Sequence, residues 1–272
     1  MLVYKIFENL WLSTYSLFCK TKCTYKGCNG KTVKILANGP SLKENLCNLI
    51  ETDTTCALNF FCLDKHFRDI MPSHYVLADQ LFFLENKMPV NVSSFYKTIN
   101  QVDWLITFYV PLKYYSVFRS RVTNTNIKIK TFYRCPFLKY IPRRFEYYLY
   151  RIGLHAPTAQ NVLIPSIFMM LNEGYEKIYL YGADHSWLSQ MAVNDKNQVC
   201  LVDKHFYDEE NPKLEPWFKS EGDNIFKMHE LMGIFYTVFL TYHKLARYAK
   251  YLGNSNILNV TKYSFIDAFY RL

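Results

Sequence analysis

The chain has 272 residues, half of them hydrophobic and 18% aromatic, with a net charge of +9. That length and composition exclude a disordered chain and predict a large, well-buried core. The excess of Lys and Arg draws the chain toward phosphate groups or anionic surfaces, but the basic residues are dispersed and no nucleic-acid motif is present. Residues 1–31 come first. Apolar positions Leu2, Val3, Ile6, Phe7, Leu10, Trp11 and Phe18 fall near helical spacing, interrupted by Lys5, Glu8 and Asn9. This is an amphipathic pattern, suited to associating with a membrane surface or to packing on the domain or on a second subunit, rather than a signal peptide or a membrane-spanning run. From Thr32 the pattern changes to short apolar runs alternating with helical segments. Strands are expected at Thr32–Ala37, Thr54–Phe60, Tyr75–Asp79, Trp104–Tyr109, Ile127–Phe132, Lys177–Ala183 and Ile257–Val260. Helices are expected at Ser41–Ile50, between the fourth and fifth strands, at Ala159–Asn172 and at Asn224–Tyr251, the last with a break near Gly233.

Such alternation predicts an α/β, Rossmann-like, mostly parallel sheet with helices on both faces. Residues 32–272 are read as one Rossmann-like domain. The polar stretch 186–220 is read as a lid-like insertion. The eight cysteines include no CxxC pair. Cys47, Cys56 and Cys62 sit in apolar stretches as core fillers, and Cys19, Cys23 and Cys28 have no nearby His to complete a zinc site.

Ligands of such folds bind beyond the carboxyl ends of the strands. After the first strand comes Asn38-Gly39-Pro40-Ser41-Leu42-Lys43. Gly39 permits close approach of backbone to ligand, Ser41 can cap the next helix, and Asn38 can contact a ribose or phosphate. Asp79 closes the third strand. The strand at 177–183 runs into Gly182-Ala183-Asp184-His185-Ser186-Trp187. There Asp184 and His185 meet the ligand edge, and Trp187 can stack on a base or sugar. His205 and Tyr207 in the insertion, and His229 at the head of the long helix, are candidate proton-transfer groups. No DxD follows a strand, so no metal and no bound cofactor are expected.

Asn38-Gly39-Pro40-Ser41-Leu42-Lys43-Glu44 resembles the opening loop of bacterial CMP-sialic-acid-dependent sialyltransferases. Gly174-Tyr175-Glu176-Lys177-Ile178-Tyr179-Leu180-Tyr181-Gly182-Ala183-Asp184 resembles their later strand. A wider group, the flagellin-modifying glycosyltransferases and the 6-hydroxymethylpterin diphosphokinase-like proteins, shares these features. The resemblance implies a donor site using Asn38, Ser41, Asn59, Ser166, Asn259 and Ser264, with His229 as catalytic base. The sequence departs from the family after Asp184, where His185-Ser186-Trp187 replace the expected Tyr. Tyr207 or His205 then stand in for it. The expected function is metal-independent transfer of a nucleotide-linked sugar, CMP-linked sialic acid or Kdo foremost, to a hydroxyl of a glycan or glycolipid of the bacterial surface. The expected location is cytoplasmic, peripheral on the inner face of the membrane, and a homo-oligomer is compatible with the sequence. The alternatives are an ATP- and Mg-dependent diphosphokinase, a non-catalytic glycan- or nucleotide-binding module, and a basic RNA-binding protein.

Overall fold

The structure is a computed structural model that describes residues 2–46, 49, 54–84, 89–138, 140–201, 215–219, 224–253 and 256–272. Helix α1 (Leu2–Phe18) precedes strand β1 (Thr32–Leu36) and the short helix α2 (Leu42–Leu46). Then come β2 (Thr55–Leu58), α3 (Phe67–Ile70), β3 (His74–Val76), α4 (Val90–Ile99), β4 (Ile106–Pro111), α5 (Tyr115–Arg121), β5 (Ile127–Phe132) and α6 (Arg143–Arg151). Helix α7 (Leu163–Glu173) leads into β6 (Lys177–Tyr181). Three short strands follow, β7 (Met191–Val193), β8 (Val199–Leu201) and β9 (Glu215–Pro216). Last come α8 (Met228–Leu252), β10 (Asn256–Asn259) and β11 (Tyr270–Arg271).

Among the described residues the main sheet has eight strands in the order β11-β10-β6-β1-β2-β3-β4-β5, and all its pairings are parallel. This is the expected Rossmann-like α/β fold. Strands buried on both faces need apolar side chains on both, and Val33, Ile35, Leu36, Cys56, Ala57, Leu58 and Tyr75 supply them. One face packs against α7 and α8 around Ile167, Met170, Leu180, Tyr242 and Leu245. The other packs against α3, α4 and α5 around Phe67, Phe95, Phe108 and Phe118. Buried tyrosines keep their hydroxyls paired: Tyr75 donates to the Asn59 carbonyl (2.6 Å) and Tyr248 to Asn172 Oδ1 (2.7 Å).

Several boundaries differ from the sequence reading. Helix α7 starts at Leu163, not Ala159, because the Asn161 side chain accepts the Ile164 N–H (3.1 Å) and leaves Ala159 and Gln160 outside the helix. Helix α8 starts at Met228, where Glu230 reaches back to the Lys227 N–H (2.9 Å). It runs unbroken through Gly233, since a single helical Gly costs only about 1 kcal/mol against Ala. Beyond α2 the expected helix to Ile50 falls largely outside the described residues. Within 186–220, β7, β8 and β9 form a small antiparallel sheet that stands apart from the main one.

The segment before β1 is fastened to the domain. Leu12 and Cys19 of the α1 region pack with Leu112 and Tyr133, and Ser13 shares a 2.8 Å hydrogen bond with the Tyr133 hydroxyl. Thr21–Cys23 then pairs alongside Thr131 of β5, covering what would otherwise be an open strand edge. Cys23 donates to Glu173 at the end of α7 (3.3 Å), and the Lys26 and Lys130 ammonium groups ion-pair with the same carboxylate. Burial alone would raise the Glu173 pKa, but the hydrogen bonds and charges of Lys130 and Lys26 outweigh it and bring it down to about 2. Cys56 and Cys62 are buried in the core as expected, and Cys47 lies outside the described residues.

Candidate functional site

The strand order locates the site. From β1 the chain moves outward through β2, β3, β4 and β5, then returns to lay β6 on the opposite side of β1. The loops leaving β1 and β6 therefore diverge, which is the switch point where open α/β sheets bind ligands. A cleft of about 360 Å³ opens there, within the roughly 300–1,000 Å³ range of small-molecule sites. Its walls come from the ends of β1, β2, β3 and β6 and from residues 159–163 ahead of α7.

Two glycines form the floor. Gly39 donates its N–H to the Gly182 carbonyl (2.9 Å), so the two loops touch through their backbones. A methyl group on Gly39 would collide with the Asp184 carboxylate and the Gly182 carbonyl. Gly182 has φ +66°, and a side chain there would lie 2.6 Å from the Ala37 carbonyl and 2.8 Å from Leu42 Cβ. Asp184 rises beside this contact and accepts a 2.9 Å hydrogen bond from the Ser41 hydroxyl. Burial raises its pKa, with the Ser41 bond opposing that shift.

Along the second wall, Asn38 and Asn59 line the cleft. Both polar atoms of the Asn38 amide, and Asn59 Oδ1, are buried without a hydrogen-bond partner in the protein. Buried polar groups are nearly always paired, so three unpaired atoms beside one cavity set this wall apart. Asn59 holds a left-handed backbone (φ +48°), which Asn tolerates better than other side-chain-bearing residues, and its carbonyl is fixed by Tyr75. Asp79 lines the far end, exposed, where its carboxylate caps the turn at Leu81 N (2.8 Å).

The third wall carries His185, also in the left-handed region (φ +50°). Its Nε2 lies 2.5 Å from the Tyr242 hydroxyl of α8, and Asn161 Nδ2 donates to that hydroxyl at 3.0 Å. Asn161 Oδ1 already accepts the Ile164 N–H, which fixes the orientation of the amide. The Tyr242 hydroxyl also lies 3.3 Å from Asn161 Oδ1, so His185, Tyr242 and Asn161 form one hydrogen-bonded cluster. Burial lowers the His185 pKa to about 3, so the ring is neutral near pH 7. Trp187 closes this wall, stacked on Phe235 of α8 (5.6 Å between centroids, 10°) and tilted against His185 (4.3 Å).

Of the residues singled out in the sequence, Asn38, Gly39, Asn59, Asp79, Gly182, Asp184, His185 and Trp187 line one cleft, and Ser41 bonds its floor. Others lie behind it. Asn259 donates to Ser264 (2.9 Å), Ser264 donates to the Ala183 carbonyl (2.6 Å), and Thr261 accepts the Ala183 N–H (2.9 Å). These residues brace the loop between Gly182 and Asp184 from the rear. Ser166 is buried within α7, bonded to the Val162 carbonyl (2.7 Å). His229 is exposed on the first turn of α8 and does not line the cleft; thirteen residues of helix separate it from Tyr242, about 20 Å at 1.5 Å per residue. His205 and Tyr207 lie outside the described residues. Gln160, Asn161 and Tyr242 were not singled out; the Asn before an apolar helix was a readable cap, whereas a Tyr in mid-helix carries no local signal. Among the described residues no three His, Cys, Asp or Glu side chains are grouped to hold a metal ion.

The chain matches no protein-family model, and it matches no curated protein by sequence. In fold it is similar to the solved structure of the MAf glycosyltransferase from Magnetospirillum magneticum AMB-1, with a TM-score of 0.51 and 13% identity. The likeness covers 97% of this chain and 37% of that one, so the chain spans little more than a third of that protein's length. At this identity the likeness shows a shared α/β architecture.

Proposed function

We propose that the protein is a glycosyltransferase that moves a sugar from a nucleotide, CMP foremost, to the hydroxyl of a glycan or glycolipid acceptor. The observation that carries this reading is the set of unpaired Asn38 and Asn59 amide atoms at the switch-point cleft. Carboxamides offer both donors and acceptors, as the edge of a cytosine and the hydroxyls of a ribose require. The resemblance of 38–44 and 174–184 to the sialyltransferase loops, and the fold shared with a glycosyltransferase, support the same reading.

In the proposed reaction the acceptor oxygen attacks the anomeric carbon as the bond from that carbon to the phosphate oxygen breaks. The acceptor proton passes to a base and the nucleotide phosphate leaves with the electron pair. We assign that proton to Asp184, on the cleft floor with a raised pKa. His185, kept neutral by burial at the cleft, is the donor we assign to the leaving phosphate, in the position where the sialyltransferases carry Tyr. His229, exposed on the first turn of α8 and away from the cleft, and His205, outside the described residues, are assigned no role in this reaction.

A diphosphokinase needs carboxylates that share Mg. Asp79 and Asp184 follow β3 and β6, three strand spacings apart, or about 14 Å at roughly 4.8 Å each. That separation favours glycosyl transfer.

Thermal melts with CMP, UDP, GDP and ATP, with and without Mg, test the proposal. Stabilisation by CMP without Mg, followed by CMP release from a CMP-sugar, is the expected result. Stabilisation by ATP with Mg alone would overturn it.

A further inference from the structure

Helix α1 has two unlike faces. Leu12, Ser16 and Cys19, at helical spacing, are buried against the domain. On the opposite side Phe7, Trp11 and Phe18 are 66%, 63% and 78% exposed, flanked by exposed Leu10 and Tyr15, and Trp11 stacks on Tyr15 at 5.2 Å. So many large apolar rings on one side of a pinned helix form a surface that calls for a partner. The chemistry around them identifies it. No Asp or Glu occurs in residues 9–31 or 104–145, which include the segments touching the inner face of α1, whereas Lys20 and Arg134, next in sequence to Cys19 and Tyr133 of that contact, are exposed. The one acid in the body of the helix, Glu8, is paired with Lys113 at 3.0 Å.

We propose that the outer face of α1 docks on an anionic lipid bilayer, its aromatic rings entering the headgroup layer and the surrounding cations resting on lipid phosphates. Trp and Tyr favour that layer, and basic groups are drawn to an anionic surface. A second copy of this face would instead set cations against cations. Among the described residues no helix is long and apolar enough to cross a membrane, and a helix of 17 residues pinned along one side lies on a surface. The inner face of α1 touches segments leaving the carboxyl ends of β4 and β5, the sheet edge on which the cleft opens between β6 and β3. Docking therefore brings that edge to the membrane. That the acceptor is lipid-linked rests on the glycosyl-transfer reading; the docking does not.

Flotation of the full chain with phosphatidylcholine vesicles, and with vesicles containing phosphatidylglycerol, tests this without any donor sugar. The wild type floats with the anionic vesicles and much less with the neutral ones. The F7S/W11S/F18S variant loses flotation at least about tenfold, with its melting temperature and nucleotide-induced stabilisation retained because all three rings are exposed. K20E/R134E, which leaves the rings in place, weakens flotation and makes what remains insensitive to salt. Wild-type protein that stays with the unbound fraction, or a triple variant that floats equally well, would overturn the proposal. A wild-type dimer in light scattering that the triple variant converts to monomer, with no flotation, would assign the face to a second copy instead.

Discussion

The Tyr242 hydroxyl sits 2.5 Å from His185 Nε2, joining the long helix α8 to the loop that follows β6. This contact sets which imidazole nitrogen carries the proton, and it holds His185 in a backbone conformation that residues with a Cβ seldom adopt. Tyr242→Phe removes the hydroxyl and leaves the ring volume intact. Turnover is expected to fall about fivefold, since a hydrogen bond is worth about 1 kcal/mol and 1.36 kcal/mol is a factor of ten. A larger loss in kcat than in KM, with a changed pH profile, marks a positioning role; equal stability loss with unchanged kinetics would remove it.

Asn38→Ala should act in opposite directions on binding and stability. Its amide atoms are buried and unpaired in the protein, so their loss leaves the melting temperature unchanged or slightly raised. Nucleotide affinity should fall by roughly 1–3 kcal/mol, as expected when a ligand loses a buried hydrogen bond. Calorimetric titration with CMP, paired with thermal melts, reads both. Unchanged CMP affinity would detach Asn38 from the ligand.

Gly39→Ala places a methyl group against Asp184 and the Gly182 carbonyl. Neither the backbone contact nor the Ser41–Asp184 bond can move aside cheaply, so a loss of roughly 1–3 kcal/mol of stability is expected, as for overpacking. Donor binding should fall with it. A crystal structure of the variant with the two loops still in contact would contradict this account.

Acid should weaken the fold in two windows. Burial lowers the pKa of His74 to about 4, of His155 to about 4 and of His185 to about 3. These rings stay neutral in the fold but bind protons in the unfolded chain below about pH 6.5, so stability held above that pH is lost as pH falls toward 4. Glu173, with its pKa at about 2, adds stability above the unfolded value near 4 that is lost between there and 2. Melting curves across this range should show the decline beginning near pH 6.5, and Glu173→Gln should flatten the lower window. A melting temperature constant from pH 7 to 4 would contradict the histidine assignment.

Much of the sheet is legible in the sequence because strands buried on both faces read as apolar runs bounded by turns. The loops after β1 and β6 are legible for a different reason: Gly39 and Gly182 stand where the backbones must approach. Helix α4 was not seen, although Val92, Phe95, Tyr96 and Ile99 are buried at helical spacing, because Asn91, Ser93 and Ser94 are weak helix formers. The join of β6 to β1 is tertiary and leaves no local mark. Without it, Asn161 and Tyr242 cannot be placed beside His185, and the exposed position of His229 cannot be foreseen. Asn259 and Ser264 carry the polar character of ligand groups, yet Ser264 donates to the Ala183 carbonyl and Asn259 bonds Ser264 and the Thr261 N–H.

The clasp between the first segment and Glu173 bears on how the molecule is made. Cys23 and Glu173 are 150 residues apart, and Ser13 and Tyr133 are 120 apart. Helix α1 therefore leaves the ribosome well before any residue that will hold it, with its inner face as bare as its outer one. Contacts of such range close late in folding. Until β5 and α7 are synthesised, both sides of the helix are open to whatever apolar surface lies nearby, so the part of the chain made early is among the last to be fastened.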